Sequence, residues 1–282
     1  MRVGHRYVLV THDQRVRTTI AQDASQHVED NQYATAADSQ CTSRDAFLRS
    51  PLFAPWVREL HDCYRRALGD AGRILSIGSG LGEHDVLLHM AGYRITATDL
   101  ISDLGRTAQQ WFPDLPYAAL NALNPDELSH MQADCVLASG LDYALDNAQL
   151  DALFANVATV LARSTHAQRR FVFTVRYRDN ALTRVVDNVL LPLEGRIRLW
   201  RSGPGHRIVR RAHGYRRKPA EVVSIAGRHN FEHRATLYAG AGVEFDRSRI
   251  LGHMPFLPFM RTIDRKLHVA SNCVVLVFDL ND

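Results

Sequence analysis

The sequence predicts an α/β fold, a doubly wound and mostly parallel sheet covered by helices on both faces. Three observations carry that reading. From residue 73 onward, short apolar runs alternate with helical stretches, the pattern of parallel strands joined by helical crossovers. The first of these runs, Arg73 to Ile77, leads straight into Gly78, Gly80 and Gly82, and a helix follows. A second run ends in Asp99 about 20 residues further on. At 282 residues and 46% hydrophobic content the chain can bury a substantial core, as one large domain or two small ones.

The elements follow in order. Residues 11–50 are polar, rich in Gln, Asp, Ser and Thr, and read as a mobile arm or a loosely helical cap. Val57, Leu60, Tyr64 and Leu68 fall at helical spacing behind Pro55 and before Gly69, which predicts a helix over 56–68 packed beside the sheet. Strand 73–78 pairs with helix 83–91, and strand 93–98 with helix 102–111. A short strand near 116–120 precedes helix 125–131, and strand 134–139 precedes helix 147–162. Leu150, Leu153, Phe154, Val157, Val160 and Leu161 give that last helix one apolar stripe. Strand 170–176 closes the run.

Residues 179–219 break the alternation. Ala181–Leu191 reads as a helix stopped by Pro192. Arg196–Trp200 and Arg207–Arg211 flank Ser-Gly-Pro-Gly-His and read as a basic β-hairpin with a long turn. Pro219–Ala226 reads as a helix, and strands end the chain. The implied organisation is an N-terminal arm and helical cap (1–69), a core (70–178), an inserted lid or hairpin (179–219) and a C-terminal part of the core (220–282).

The glycine turn is physically a nucleotide cradle. Without a Cβ the backbone approaches a ligand closely, and the helix N-terminus behind it offers free N–H groups. A carboxylate at the end of the next strand suits the two hydroxyls of a ribose. The dinucleotide fingerprint asks for a third glycine where Glu83 stands, and the glycine is at Gly82 instead.

The Gly-x-Gly-x-Gly spacing resembles motif I of the class I S-adenosylmethionine-dependent methyltransferases. Cys135 to Leu141 looks like that family's fourth strand and motif IV, and Phe171 to Tyr177 like its fifth strand. Gly240–Leu251 followed by Asn272–Leu280 resembles its terminal antiparallel pair. The resemblance covers roughly residues 70–178 and 220–280 and implies a seven-stranded Rossmann-like methyltransferase fold. Two positions depart from the family pattern. Ser76 stands where an acidic residue usually precedes the first glycine by two, and Asn121 where Asp often follows the third strand.

What the resemblance implies can be carried over position by position. Gly78, Ser79, Gly80 and Gly82 would wrap the methionine part and ribose edge of S-adenosylmethionine (SAM). Asp99 would hold the ribose diol and Leu100 would lie on the adenine, with Asn121 and Ala122 at its rim. Ser139, Gly140 and Leu141 would border the sulfonium methyl. The bland alternative for Asp99 is a solvated acid at a strand end.

Methyl transfer from a sulfonium rests on alignment, and needs a base only when the acceptor must lose a proton. Tyr143, His206 and His213 are the candidates for such a base, with His229 and His233 as further histidines. Fourteen histidines in the chain make any single one a weak choice. No metal is expected. The reading is a methyltransferase acting on an oxygen or nitrogen of a small-molecule acceptor. Alternatives are an RNA or other polymer methyltransferase, a nicotinamide-dependent oxidoreductase, and a non-catalytic protein that keeps the cradle.

Charge is unevenly spread. The formal net charge is +4, yet residues 196–218 hold eight arginines and Lys218 with no acid. Three readings stay open for that stretch: a solvated hairpin, a lid that attracts an anionic acceptor through arginine forks, or a nucleic-acid surface using Trp200 and Tyr215. Cys41, Cys63, Cys135 and Cys273 show no metal-ligand spacing, which suits reduced thiols in a cytoplasmic protein. Met1 to Asp13 holds no apolar stretch of signal-peptide length, and no window is long and apolar enough for a bilayer span.

Overall fold

The computed structural model describes residues 2–11, 43–53, 55–176, 179, 184–202, 206–239 and 273–281, with backbone alone at 2–11, 51, 55, 56, 102 and 206–213. Among the described residues nine strands form two sheets. The larger contains β2 (Arg73–Ile77), β3 (Arg94–Asp99), β4 (Tyr117–Ala119), β5 (Cys135–Ala138), β6 (Arg170–Val175), β8 (Phe231–Ala239) and β9 (Cys273–Leu280). Their spatial order is β4-β3-β2-β5-β6-β9-β8. All neighbours up to β6 run parallel, and β9 is antiparallel to both β6 and β8. The doubly wound, mostly parallel seven-stranded sheet is therefore present.

Alternate residues of the central strands feed two separate cores. Leu75, Ile77, Val136, Ala138, Phe171 and Phe173 join one cluster. It is covered by Leu150, Phe154 and Val157 of the long helix Asn147–Ala162 and by Val222 and Ile225 of the helix Pro219–Gly227. Ile74, Leu137, Val172 and Val275 join the other, under Leu60, Tyr64 and Leu68 of the helix Pro55–Leu68 and Val86 and Leu88 of the helix Glu83–Met90. Burial on both faces explains why these strands read as continuous apolar runs rather than alternating ones. Phe154 is the hub of the first core, with ring centroids 4.9–5.8 Å from Phe171, Phe173, Phe231 and Phe278. The long helix starts on a full capping box between Asp146 and Gln149.

Three expectations need correcting. Pro192 does not stop a helix. A π-helical turn at Val186–Leu190 continues into the α-helix Leu191–Ser202. A proline costs least where the i→i−4 ladder is already interrupted, and Pro192 directly follows such an interruption.

Arg196–Trp200 is therefore helical and forms no hairpin with Arg207–Arg211. Its short alternation fits both periods, and the longer spacing of Val185, Val189, Leu193 and Ile197 selects the helix. The strand β7 (His206–Arg216) pairs antiparallel with β1 (Arg2–Thr11), making a separate two-stranded ribbon. The inserted basic hairpin is thus a helix followed by one strand, and its partner strand comes from the opposite end of the chain.

The partner of β9 is Phe231–Ala239, whereas Gly240–Leu251 lies outside the described residues. Residues 12–42, most of the expected arm or cap, lie outside them too. The three described cysteines, Cys63, Cys135 and Cys273, are buried and not disulfide-bonded, and Cys41 is not described. Among the described residues no helix is long and apolar enough to cross a membrane.

Candidate functional site

The strand order reverses between β2 and β5, and a crevice forms beyond their carboxyl ends, the general ligand position of open α/β sheets. The loops after β2, β3, β4 and β5 all reach this edge. Gly78–Gly82, Asp99–Ile101, Asn121–Ala122 and Ser139–Tyr143 therefore share it, as the sequence led us to expect.

The glycine loop is a left-handed bend. Gly78, Gly80 and Gly82 have φ of 70°, 57° and 78°, a region that residues with a Cβ enter only under strain. Their surroundings differ. A Cβ on Gly78 would stand 2.5 Å from the Leu141 side chain, so Gly78 lets the loop after β5 close over the bend. A Cβ on Gly80 would meet nothing within 4 Å, so the middle of the bend borders open space. Gly82 caps the helix Glu83–Met90 and turns its first amides toward the bend.

Hydrogen bonds lock the loop onto β3. The Ser79 amide donates to the Thr98 carbonyl at 2.9 Å, and the Thr98 amide donates to Ser79 Oγ at 3.1 Å. The Thr98 hydroxyl donates to the Ser76 carbonyl at 2.7 Å. Asp99 is no loose strand-end acid. Its Oδ2 accepts from the Gly80 amide at 2.9 Å and its Oδ1 from the Ile101 amide at 3.0 Å. Each oxygen keeps a lone pair for a second donor. Tyr117, from β4, donates its hydroxyl to the Gly80 carbonyl at 3.0 Å and braces the bend from outside. Leu100, next to Asp99, is 59% exposed.

The remaining expected residues are less open. Asn121 Oδ1 accepts from the Leu123 amide in an Asx turn, and the Ala122 carbonyl accepts from Asn156 Nδ2. Ser139 Oγ lies 2.8 Å from the hydroxyl of Tyr64, which is itself 2.7 Å from Thr174 Oγ1. Gly140 has φ 74°, and a Cβ there would stand 3.3 Å from the Arg176 side chain. Tyr143 accepts the Tyr215 amide on its carbonyl at 2.8 Å, and β7 passes so close that Gly214 has no room for a Cβ. The insertion thus sits directly on the loop after β5.

Two buried groups behind the bend escaped the sequence reading. Asp85, on the first turn of the helix Glu83–Met90, is 1% exposed. Burial pushes its carboxyl up to about 7, and the charge of Glu83 adds to the rise, while hydrogen bonding from Ser76 and Ser79 opposes it. Its Oδ1 has no hydrogen-bond partner. The family's usual acid is replaced by Ser76, yet Asp85 brings a carboxylate to the same serine from the helix side. The signal was visible as an acid three residues after Gly82, but nothing in one sequence says that it points inward. His84, beside it, packs edge-on to Tyr64 with ring centroids 5.1 Å apart. Burial, with the nearby Arg176 charge, holds it neutral, down to about 3.

The candidate bases fare differently. His206 and His213 lie on β7, and their side chains are outside the described residues. His229 Nε2 is 2.8 Å from Asp151 Oδ1, and His233 Nε2 is 2.9 Å from Thr236 Oγ1. Both sit at the start of β8, toward the amino ends of the parallel strands and away from the crevice. Among the described residues no group of three or more His, Cys, Asp or Glu could hold a metal ion.

No family model matches the chain, and no curated protein matches it by sequence. Solved structures do. A protein from Pyrococcus horikoshii OT3 superposes with a TM-score of 0.53 at 14% identity, over 83% of this chain and 93% of that one. A SAM-dependent methyltransferase from Archaeoglobus fulgidus gives 0.51 at 14% identity, over 82% and 96%. Magnesium protoporphyrin IX methyltransferase from Synechocystis PCC 6803 with bound SAM gives 0.50 at 13% identity, over 94% and 100%. These likenesses establish the architecture. The chain has the Rossmann-like fold of the class I SAM-dependent methyltransferases.

Proposed function

We propose that the chain is a SAM-dependent methyltransferase acting on an oxygen or nitrogen of a small-molecule acceptor. The observation that carries the reading is Asp99. A carboxylate fixed by two backbone amides beside an open glycine bend, with an exposed leucine next to it, suits a ribose with its base alongside.

The residues present fit the donor. Gly78, Ser79, Gly80 and Gly82 offer backbone N–H groups and close approach, Asp99 accepts from the ribose hydroxyls, and Leu100 covers the adenine. Asn121 and Ala122 form its rim, while Ser139, Gly140 and Leu141 border the reacting side. Asp85, linked to the bend through the Ser76 and Ser79 hydroxyls, would lose its proton beside the donor's ammonium and supply its counter-charge. When bound, SAM supplies a methyl on a sulfonium, an electrophile that is already activated. The chain's own task is to align acceptor and donor and to exclude water. Tyr143 stands at the acceptor side as the candidate proton acceptor, next to Arg176, whose guanidinium suits an anionic acceptor group.

The test is calorimetric. S-adenosylhomocysteine (SAH) titrated into the wild-type protein is expected to bind saturably, and Asp99→Ala to bind more weakly by about 1–3 kcal/mol, the cost of losing a charged hydrogen-bond acceptor. Unchanged affinity in Asp99→Ala would remove Asp99 from the site.

A further inference from the structure

The helical part of the insertion, 184–202, carries an outward apolar ridge. Val185, Val189, Leu193 and Ile197 recur every four residues and end at Trp200, and all five are exposed, Trp200 by 83%. In a pure α-helix, four-residue spacing drifts by about 40° per step. The π-turn at Val186–Leu190 has a wider turn and takes that drift back, which keeps the ridge straight over about 22 Å. Measured from Leu193, Ile197 lies at about +40° and Trp200 at about −20°, with Arg196 at about −60° and Arg201 at about +80°. Arginine therefore stands on each side of the ridge.

The charge on this helix is sorted by face. Its two acids in this span, Asp187 and Glu194, are both buried. Asp187 pairs with the buried Arg216 of β7 at 3.0 Å, which fastens the inner side to the ribbon, and Glu194 faces Arg198 of its own helix at 3.9 Å. The Arg196 and Arg201 side chains are exposed and make no hydrogen bond or ion pair to another described side chain. The outer face is thus apolar at its centre and purely cationic at its edges. A two-fold contact with a second copy would set these arginines against arginines with no acid between them.

We propose that this helix docks in the plane of an anionic membrane surface, with Val189, Leu193, Ile197 and Trp200 among the acyl chains and Arg196 and Arg201 at the headgroups. An exposed tryptophan beside arginine is the chemistry of the membrane interface. This proposal stands whether or not the glycine bend holds SAM.

The experiment is co-sedimentation of the full chain with vesicles of phosphatidylcholine alone and with about one-third phosphatidylglycerol added. Wild type is expected on the anionic vesicles with a blue shift of tryptophan emission, and the shift should vanish in Trp200→Phe while sedimentation persists. Arg196→Gln with Arg201→Gln should lower partitioning about tenfold or more. Leu193→Glu with Ile197→Glu should abolish it, with the unfolding midpoint measured on the same samples to confirm that the variant is folded. The proposal is overturned if wild type stays in the supernatant. Equal sedimentation by the folded double-Glu variant would also overturn it. So would a stable dimer of the free protein that this variant splits, which would assign the ridge to a second copy.

Discussion

Asp85 and His84 are adjacent, both buried, and titrate in opposite directions. Asp85 rises from 3.8 to about 7, so the folded state keeps a proton that the unfolded chain releases. Stability of the ligand-free protein therefore falls as pH rises between 3.8 and 7. His84 drops from 6.5 to about 3, so stability is lost as pH falls below 6.5. The two slopes oppose each other between about pH 4 and 6.5. Asp85→Asn removes one of them. In that variant, stability measured by urea unfolding is expected to climb with pH across this window, where wild type stays nearly flat. At pH 8 the variant is expected to exceed wild type by up to about 4 kcal/mol, since each tenfold change in proton affinity is worth about 1.4 kcal/mol. Its affinity for SAH should nonetheless fall, because the charge behind Ser76 and Ser79 is gone. A variant less stable than wild type at pH 8 would contradict the buried placement. The glycines separate in the same way. Gly80→Ala faces open space and costs only left-handed strain, about 1–2 kcal/mol, whereas Gly78→Ala must also displace Leu141. Thermal unfolding of the pair should rank Gly78→Ala as the more damaging.

At the scale of elements, the insertion is held by buried arginines rather than by its own pairing. Arg216 meets Asp187, and Arg217 donates to the carbonyls of Asp142 and Leu145 and to the Asn147 side chain. Two of the nine cations in the basic stretch are thus internal struts. Asp187→Ala leaves the Arg216 charge buried without its carboxylate and is expected to cost about 3–5 kcal/mol in denaturant unfolding. Replacing Asp187 and Arg216 together by apolar residues should recover most of that loss. Phe154→Ala opens a cavity at the hub of the aromatic core and should cost about 3–5 kcal/mol, read the same way. The strands β2, β5 and β6 were legible because they are buried on both faces, so local hydrophobicity and glycine breaks mark their ends. The insertion was not. Arg196–Trp200 is too short to separate a period of 2 from 3.6, and β7 takes its partner from Arg2–Thr11, a pairing over some 200 residues that no local pattern encodes.

Across the whole molecule, the crevice follows from topology. The order reversal between β2 and β5 gathers the glycine bend, Asp99, Asn121 and the Ser139–Tyr143 loop on one edge. The positions expected to hold the donor were named from the resemblance of the glycine loop and the strands that follow it to the methyltransferase family. Asp85 could not, because its role depends on which side of a helix packs inward against Ser76. The contact between the insertion and the loop after β5 is equally hidden in sequence, since β7 reaches Tyr143 through a backbone hydrogen bond from Tyr215.

The central claim is that the bend after β2 accepts an adenosine that carries sulfur. Parallel calorimetric titrations of the wild-type protein with SAH and with NADH test it most directly. The account expects one saturable site for SAH and no heat from NADH. Saturable NADH binding with no response to SAH would contradict it.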